Sequence, residues 1–331
     1  MTSLSNQVKS PRCKPRVETT MKKFALFLIC IVSFSLPASA ADRIVISSGP
    51  EGSGSWNLGV EISSRAGKNS AIDFVVLPSS GDGENLARIE AGTADLAIVD
   101  VFSLSSAPAG GGRFSPLLVC VIGFSTEHVV LFKNLVETYE IADVSGKTIY
   151  IGKAGDPKRG AMRELLRAFS VEPGAFSGEA LPSESAAELI IYGAIDGAII
   201  SAPLPSKIIT RLTERMQGGI SLLSIPELSP QDENSPLSLF WPALIPAGTY
   251  PHQEEPIPTL HHPIILLSSK DTSPKTIELI LKGLFGETGS FSSQCSIDAV
   301  TIDMNERLVI LPFHPGAASF FAERGVSVRS R

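Results

Sequence analysis

Two stretches decide how this chain is read: "GENLARIEAGTADLAIVD" at 83–100 and "SESAAELIIYGAIDGAIIS" at 183–201. In each, a helix-like run stops at a glycine, Gly92 or Gly193. An aspartate follows three residues later, Asp95 or Asp196, and an Ala-Ile pair then enters a short apolar run. Glycine, aspartate, alanine and isoleucine recur at a single offset of 101 residues. A glycine in that place closes a helix by adopting the left-handed conformation. The apolar run after it has the length and composition of a buried parallel strand. Four coincident positions favour two similar lobes over chance.

Outward from these corners, each copy is preceded by a strand–loop–helix pattern, "RIVISSGPEGSGSWNLGVEISSRAG" (43–67) and "KTIYIGKAGDPKRGAMRELLRAFSV" (147–171). In the second, Arg163, Glu164 and Arg167 read as the solvent face, and Met162, Leu165, Leu166 and Phe169 as the apolar stripe. Each half therefore reads β–loop–α–β–α–β, the grammar of an α/β lobe with a mostly parallel sheet. "PLLVCVIGF" (116–124) reads as a buried strand, and 127–147 as an exit strand and crossover. Residues 256–286 read as a return strand followed by a helix capped near Ser273-Pro274. The proline-rich stretch 224–258 reads as a long connection, with a lid or a docking surface as the other readings. Ligands of open α/β sheets bind at the carboxyl ends of the strands, so two facing lobes would put both glycine loops at one cleft.

The N-terminal region predicts export. "MKKFALFLICIVSFSLPASAADRIV" has a charged n-region (Lys22, Lys23), an apolar run from Phe24 to Leu36, and Ala38-Ser39-Ala40 as a cleavage signal. Cleavage is expected after Ala40, translation starts more naturally at Met21, and the expected compartment is the periplasm. The leader holds six of the 28 Lys and Arg and one of the 34 Asp and Glu, leaving 22 basic against 33 acidic residues, a net charge of −11. Such an acidic surface argues against nucleic acid or an anionic membrane as partner. Cys13 and Cys30 leave with the leader. Cys120 lies in an apolar strand, and its distance from Cys295 offers no disulfide framework.

The glycine loop "SSGPEGSGSWN" (47–57) is no nucleotide loop. Gly54 is followed by Ser55-Trp56 rather than Lys-Ser/Thr, and Gly52-Ser53-Gly54 lacks the third glycine of the dinucleotide fingerprint. Its run of N–H groups and hydroxyls before a helix is an anion site, with a flexible turn as the plain alternative. Trp56 is either a wall of the site or a core residue. In "LPSSGDGENL" (77–86), Ser79, Ser80 and Gly81 precede a second helix, with Asp82 expected as its N-cap. Asn85 either binds ligand or caps the turn. No Gly-x-Ser-x-Gly elbow occurs, and no pair among His128, His252, His261, His262 and His314 has metal-ligand spacing. Adjacent His261 and His262 would face opposite sides of a strand. No catalytic residue, metal or cofactor is expected.

The ordered set of the glycine loop 49–59, "SSGDGENLARIEAGTADLAIVD", "ADVSGKTIYIGKAGDPKRGA", "YGAIDGAIISAPLPSKIITRL", "IPAGTY" and "HPGAASFFAERGV" resembles the TAXI-type extracytoplasmic solute receptors of TRAP transporters. That resemblance implies a type II periplasmic-binding-protein fold, two α/β lobes joined by crossover hinge strands. It implies closure on a small organic anion, an acidic amino acid or related carboxylate, which a monomeric receptor delivers to a TRAP-type membrane permease. The chain departs from the family where ligand identity is set. Ser55-Trp56 stands for a Tyr pair, Gly155-Asp156-Pro157-Lys158 for Gly-Ser-Gly-Thr, and "VFSLSSAPAGGGRF" for an aromatic-containing segment. Pro157 removes an N–H donor and Asp156 adds a negative charge, which Lys158 or Arg159 could offset.

The expected layout is a signal peptide over 1–40, one lobe from 41–136 plus 258–331, and a second from 137–257. The expected ligand-binding residues are Ser53, Ser55, Trp56, Ser80 and Asn85 from the first lobe and Gly155, Lys158 and Arg159 from the second. A signalling receptor partnering a membrane sensor is the alternative, and an enzyme using the cleft a third reading.

Overall fold

Apolar strands with buried faces and glycine-closed helices build one mixed α/β sheet. The computed structural model describes residues 43–329 apart from 69, 71, 107–115, 175–180, 182, 230–234, 292–299 and 309. The expected leader and Cys295 lie outside the described residues. In chain order the main elements are β1 (Arg43–Ser47), α1 (Gly54–Gly67), β2 (Asp73–Leu77), α2 (Asp82–Glu90), β3 (Leu96–Asp100) and a 3-10 turn Val101–Ser106. Next come β4 (Leu117–Phe132), β5 (Ile149–Tyr150), α3 (Pro157–Ala168), α4 (Ser183–Ile191), β6 (Gly197–Ala202) and α5 (Lys207–Met216). They are followed by β7 (Ile220–Leu223), β8 (Trp241–Ile245), β9 (Ile257–Ser268), α6 (Pro274–Phe285), β10 (Ser290–Phe291), β11 (Val300–Thr301) and α7 (Pro315–Ala322).

The nine-stranded sheet runs β2-β1-β3-β9-β4-β6-β5, with β7 on β4 and β8 on β9. β1 is parallel to β2 and β3, and β5 is parallel to β6. The long strands β4 and β9 are antiparallel to each other from Leu117↔Ser268 to Thr126↔His261. β3 pairs with the later part of β9 (Ile264–Ser268) and β8 with its start (Ile257–His261), while β6 pairs with β4 over Thr126–Leu131. Two groups of parallel strands are thus bridged by two long crossover strands, the α/β architecture expected from the sequence. β4 is buried from Leu117 to Leu131, as a strand covered on both faces must be. The polar run Ser125-Thr126-Glu127-His128 is buried inside it.

The repeated corners are built alike. Gly92 and Gly193 both have φ +67°. The Gly92 N–H donates to Ile89 O (3.1 Å) and the Gly193 N–H to Ile190 O (2.9 Å). Asp95 Oδ2 accepts from Val45 N at 2.8 Å, and Asp196 Oδ2 accepts from Thr148 N at 2.7 Å. In return, Asp95 N donates to Val45 O and Asp196 N to Thr148 O. Each aspartate pins the start of its strand to the parallel neighbour that opened its half.

Three expectations change. The second copy has no middle strand among the described residues: only an isolated bridge, Thr148↔Gly174, stands where β2 stands in the first. Pro173 there removes an N–H that a ladder would need. The 224–258 stretch is more than a connection, because Trp241–Ile245 within it forms a strand on β9. Finally, α2 is capped by Gly81 (φ +134°) with no side-chain cap bond; Asp82 is its first helical residue. Cys120 is fully buried, and burial pushes its thiol pKa up. The helix expected near Ser273-Pro274 starts there, with Ser273 Oγ accepting from Thr276 N at 3.1 Å. No helix among the described residues is long and apolar enough to cross a membrane.

Candidate functional site

Where the two strand groups face each other, the N-terminus of α2 meets the loop entering α3. A cavity of about 500 Å³ opens between them. One wall carries Ser80, Gly81, Asp82, Glu84 and Ser103, and the other Lys153, Gly155, Asp156 and Lys158. Three of the expected ligand-binding residues, Ser80, Gly155 and Lys158, therefore share one cavity. Ser53, Ser55, Trp56, Asn85 and Arg159 are not among its lining residues.

The glycine loop lies next to this cavity, against the same strand ends. Gly49 O accepts from Ser79 N at 3.2 Å, and Ser79 Oγ donates to Ser48 O at 3.2 Å, tying the loop to the start of α2. Gly49 allows the tight turn, since a Cβ there would stand 2.8 Å from Ser53 Oγ. Ser53 is the N-cap of α1, its Oγ accepting from Trp56 N at 3.2 Å. Ser55 and Trp56 are half-buried. A Cβ on Gly54 would lie 3.3 Å from Pro203, so the loop abuts the far group of strands. Asn85 is fully buried and its amide is used inside the fold: Oδ1 accepts from Ser47 Oγ at 2.7 Å, and Nδ2 donates to Ser48 O and to Ile98 O. Arg159, in the first turn of α3, is buried and lines a second cavity with Ile149, Ile151, Arg163 and Leu166.

The second loop is built differently. Asp156 caps α3, its Oδ1 accepting from Lys158 N at 2.9 Å, with Pro157 at the first turn. A carboxylate of the chain itself thus occupies the helix N-terminus that an anion would use. Lys158 instead reaches across, and its Nζ lies 3.6 Å from Asp100 Oδ2 at the end of β3. Its side chain is about 35% exposed. Burial works against its charge, but Asp100, then Asp156, Asp82 and Glu127, raise its pKa above the ordinary lysine value.

Behind Lys158 runs a buried chain of charge absent from the sequence reading. His262 Nε2 is 2.7 Å from Asp100 Oδ2, and His262 Nδ1 is 2.9 Å from Glu127 Oε1. Glu127 Oε2 accepts from Ser201 Oγ at 2.6 Å, and Thr259 Oγ1 donates to Glu127 O at 2.6 Å. Burial opposes a charge on His262, but Asp100 and Glu127 outweigh it and bring its pKa to about 9. Burial likewise opposes ionisation of Asp100, yet His262 and Lys158 hold it at about 2. Asp82 Oδ2 accepts from Ser103 Oγ (2.6 Å) and Asp100 N (3.0 Å). Burial first, and Asp100 second, raise its pKa, with Lys158 and these donors pulling the other way. The neighbouring His128 stays neutral: burial lowers it to about 4, with Nε2 2.8 Å from the Tyr250 hydroxyl. As expected for adjacent residues of a strand, His261 goes elsewhere and stacks on Phe124 at 4.0 Å. Among the described residues no group of three or more His, Cys, Asp or Glu is arranged to hold a metal ion.

A family match described as "NMT1-like family" spans residues 46–325, from β1 through the glycine loop and cavity to the end of α7. The chain belongs to the NMT1-like family. Among solved structures, this NMT1-like chain is similar to the periplasmic sulfonate-binding protein SsuA of Methylobacillus flagellatus (14% identity, 73% of this chain and 67% of that one, TM-score 0.45). It is similar to the periplasmic VFT2 domain of Bordetella pertussis BvgS (12%, 86% and 92%, TM-score 0.45). A third likeness is to a structure concerned with glutathione import via GshT of Streptococcus mutans (10%, 75% and 91%, TM-score 0.45). No ligand of theirs is carried over to the NMT1-like chain.

Proposed function

We propose that this protein is an exported solute receptor that captures a small organic solute in the cavity between its two strand groups. The observation that carries the reading is that cavity: each wall is a helix N-terminus from a different group, and Lys158 spans the gap to Asp100. β4 and β9 act as hinge strands between lobes formed by 41–136 plus 258–331 and by 137–257, and a bound solute favours the closed state by its differential affinity. A carboxylate of the solute is met by Lys153, Lys158 and Ser80, with Ser53, Ser55 and Trp56 at the adjoining loop. The resemblance to TAXI-type receptors supports delivery to a TRAP-type permease, and the leader supports release into the periplasm after cleavage at Ala40.

The test is thermal unfolding of the chain purified from the periplasm of an expression host, with amino acids, dicarboxylates, keto acids and sugars added in turn. N-terminal sequencing of the same sample is expected to begin at Ala41. A solute at a hundred times its dissociation constant adds about 2.7 kcal/mol of stability and a clear rise in melting temperature. Turnover of a solute that binds would sink the receptor reading.

A further inference from the structure

The two strand groups are joined by more than the long strands β4 and β9. Lys158, in the first turn of α3, reaches out of the second group, and its Nζ stands 3.6 Å from Asp100 Oδ2 at the end of β3 in the first. Asp100 is fixed for that contact: His262 Nε2 lies 2.7 Å from the same Oδ2, and Oδ1 accepts from Phe102 N at 3.0 Å. The 3-10 turn that follows, Val101–Ser106, packs on α3. Its Phe102 is buried, with the ring centroid 5.0 Å from that of Phe240, just before β8, and 4.9 Å from that of His262. The short segment Asp100–Phe102 therefore grips the other group twice, once by an ion pair and once by an aromatic contact.

The charges around Lys158 show what the lysine does. Asp82 lines one wall of the cavity and Asp156 the other, with Asp100 at the strand end behind the first, and all three attract the Lys158 ammonium. Of the other charges lining the cavity, Glu84 pairs with Arg88 and Lys153 is exposed. Without the ammonium between them, carboxylates of the two groups would face one another and repel.

We infer that Lys158 and Asp100 form a clamp across the hinge, which holds the two halves together through contacts of the chain itself and sets how far the cleft stands open. The inference rests on the hinge of the receptor reading above. An ammonium has three N–H donors, so Lys158 can keep Asp100 while it meets a solute. The solute then adds to a closure the chain already favours, instead of supplying all of it.

The experiment is small-angle X-ray scattering, with no solute added, on the wild type, Lys158→Met and Lys158→Arg, each purified from the periplasm and refolded from guanidinium to strip any bound solute. Methionine keeps the apolar stem of lysine without its charge, and the side chain it replaces is about 35% exposed, so the fold is retained; melting temperatures check this. The radius of gyration should be larger in Lys158→Met than in the wild type and return to the wild-type value in Lys158→Arg. Hydrogen exchange reads the same opening locally. Amides of residues 101–106 should exchange at least about fivefold faster in Lys158→Met and at the wild-type rate in Lys158→Arg. A wild-type radius or wild-type exchange in Lys158→Met overturns the clamp, as does an expansion that arginine does not reverse. So does a wild type as expanded as Lys158→Met. None of these results touches the receptor reading, which is judged separately by whether any solute raises the melting temperature.

Discussion

The corners at Gly92–Asp95 and Gly193–Asp196 share the glycine closure and the aspartate–strand bonds, whereas the loops that open the two halves differ. At each corner a left-handed glycine ends a helix and an aspartate carboxylate fastens the next strand. At the loops, a serine caps α1 and an aspartate followed by proline caps α3. The corners answer a demand common to both halves: the chain must turn from a helix into a strand parallel to the first one. The second loop lines the cavity with Gly155, Asp156 and Lys158, whereas the first lies beside it. What is doubled belongs to the fold, and what differs belongs to the site.

The largest expected effect comes from a group with no double, the His262 cation at the crossing of β4, β9 and the end of β3. His262→Leu leaves Asp100 and Glu127 buried without their shared partner, and chemical denaturation should register a loss of about 3–5 kcal/mol. The pH profile identifies the cause. A histidine raised from 6.5 to about 9 on folding stabilises fully below pH 6.5, and that contribution disappears as pH rises through 9. The wild type should weaken across that window and the variant should not. A variant with the wild-type slope would mean that His262 carries no charge.

The doubled corners give the next effect and test the comparison itself. Asp95→Ala and Asp196→Ala each remove a carboxylate that accepts a strand N–H, and each should cost about 1.5–3 kcal/mol. The two losses should agree closely, because both aspartates are half-buried and make the same pair of bonds. A large inequality would break the equivalence. Gly92→Ala and Gly193→Ala sharpen it at about 1–2 kcal/mol each. A Cβ at either position meets nothing within 4 Å, so the cost is that of the backbone alone and should be the same twice.

How much of this was legible in the sequence follows from the same division. The corners could be read because glycine, aspartate and the apolar run lie close together in the chain, where local rules act. The crossover strands could be read from their long apolar runs. Ser80, Gly155 and Lys158 could be placed at a cleft because helix N-termini follow strand ends in α/β folds. The chain Lys158–Asp100–His262–Glu127–Ser201 could not. Its Asp100–His262 link spans 162 residues and exists only through the register Asp100↔Ile264 and Ser125↔His262. The available signal was the presence of an acid and histidines inside otherwise apolar strands, where a buried charge requires a partner. Asp82 was misread for a local reason. Aspartate before a helix is ordinarily its cap, but here Gly81 takes the cap and frees the carboxylate to face Ser103 and Asp100.

The smallest expected change in stability probes the loops. Serine and aspartate are nearly equal as N-caps, so Asp156→Ser and Ser53→Asp should each alter unfolding free energy by no more than about 0.5 kcal/mol. Their effects on binding should be opposite. Asp156→Ser removes a carboxylate next to Lys158 and should tighten the binding of succinate, whereas Ser53→Asp brings a negative charge to the edge of the site and should weaken it. Calorimetry on the two variants separates the explanations of why the loops differ. If both caps can be exchanged without changing succinate affinity, the loops differ only as alternative ways to start a helix. If the affinities move apart, Asp156 is the residue through which the second half sets the charge of the cavity, and the helix is capped at the same time.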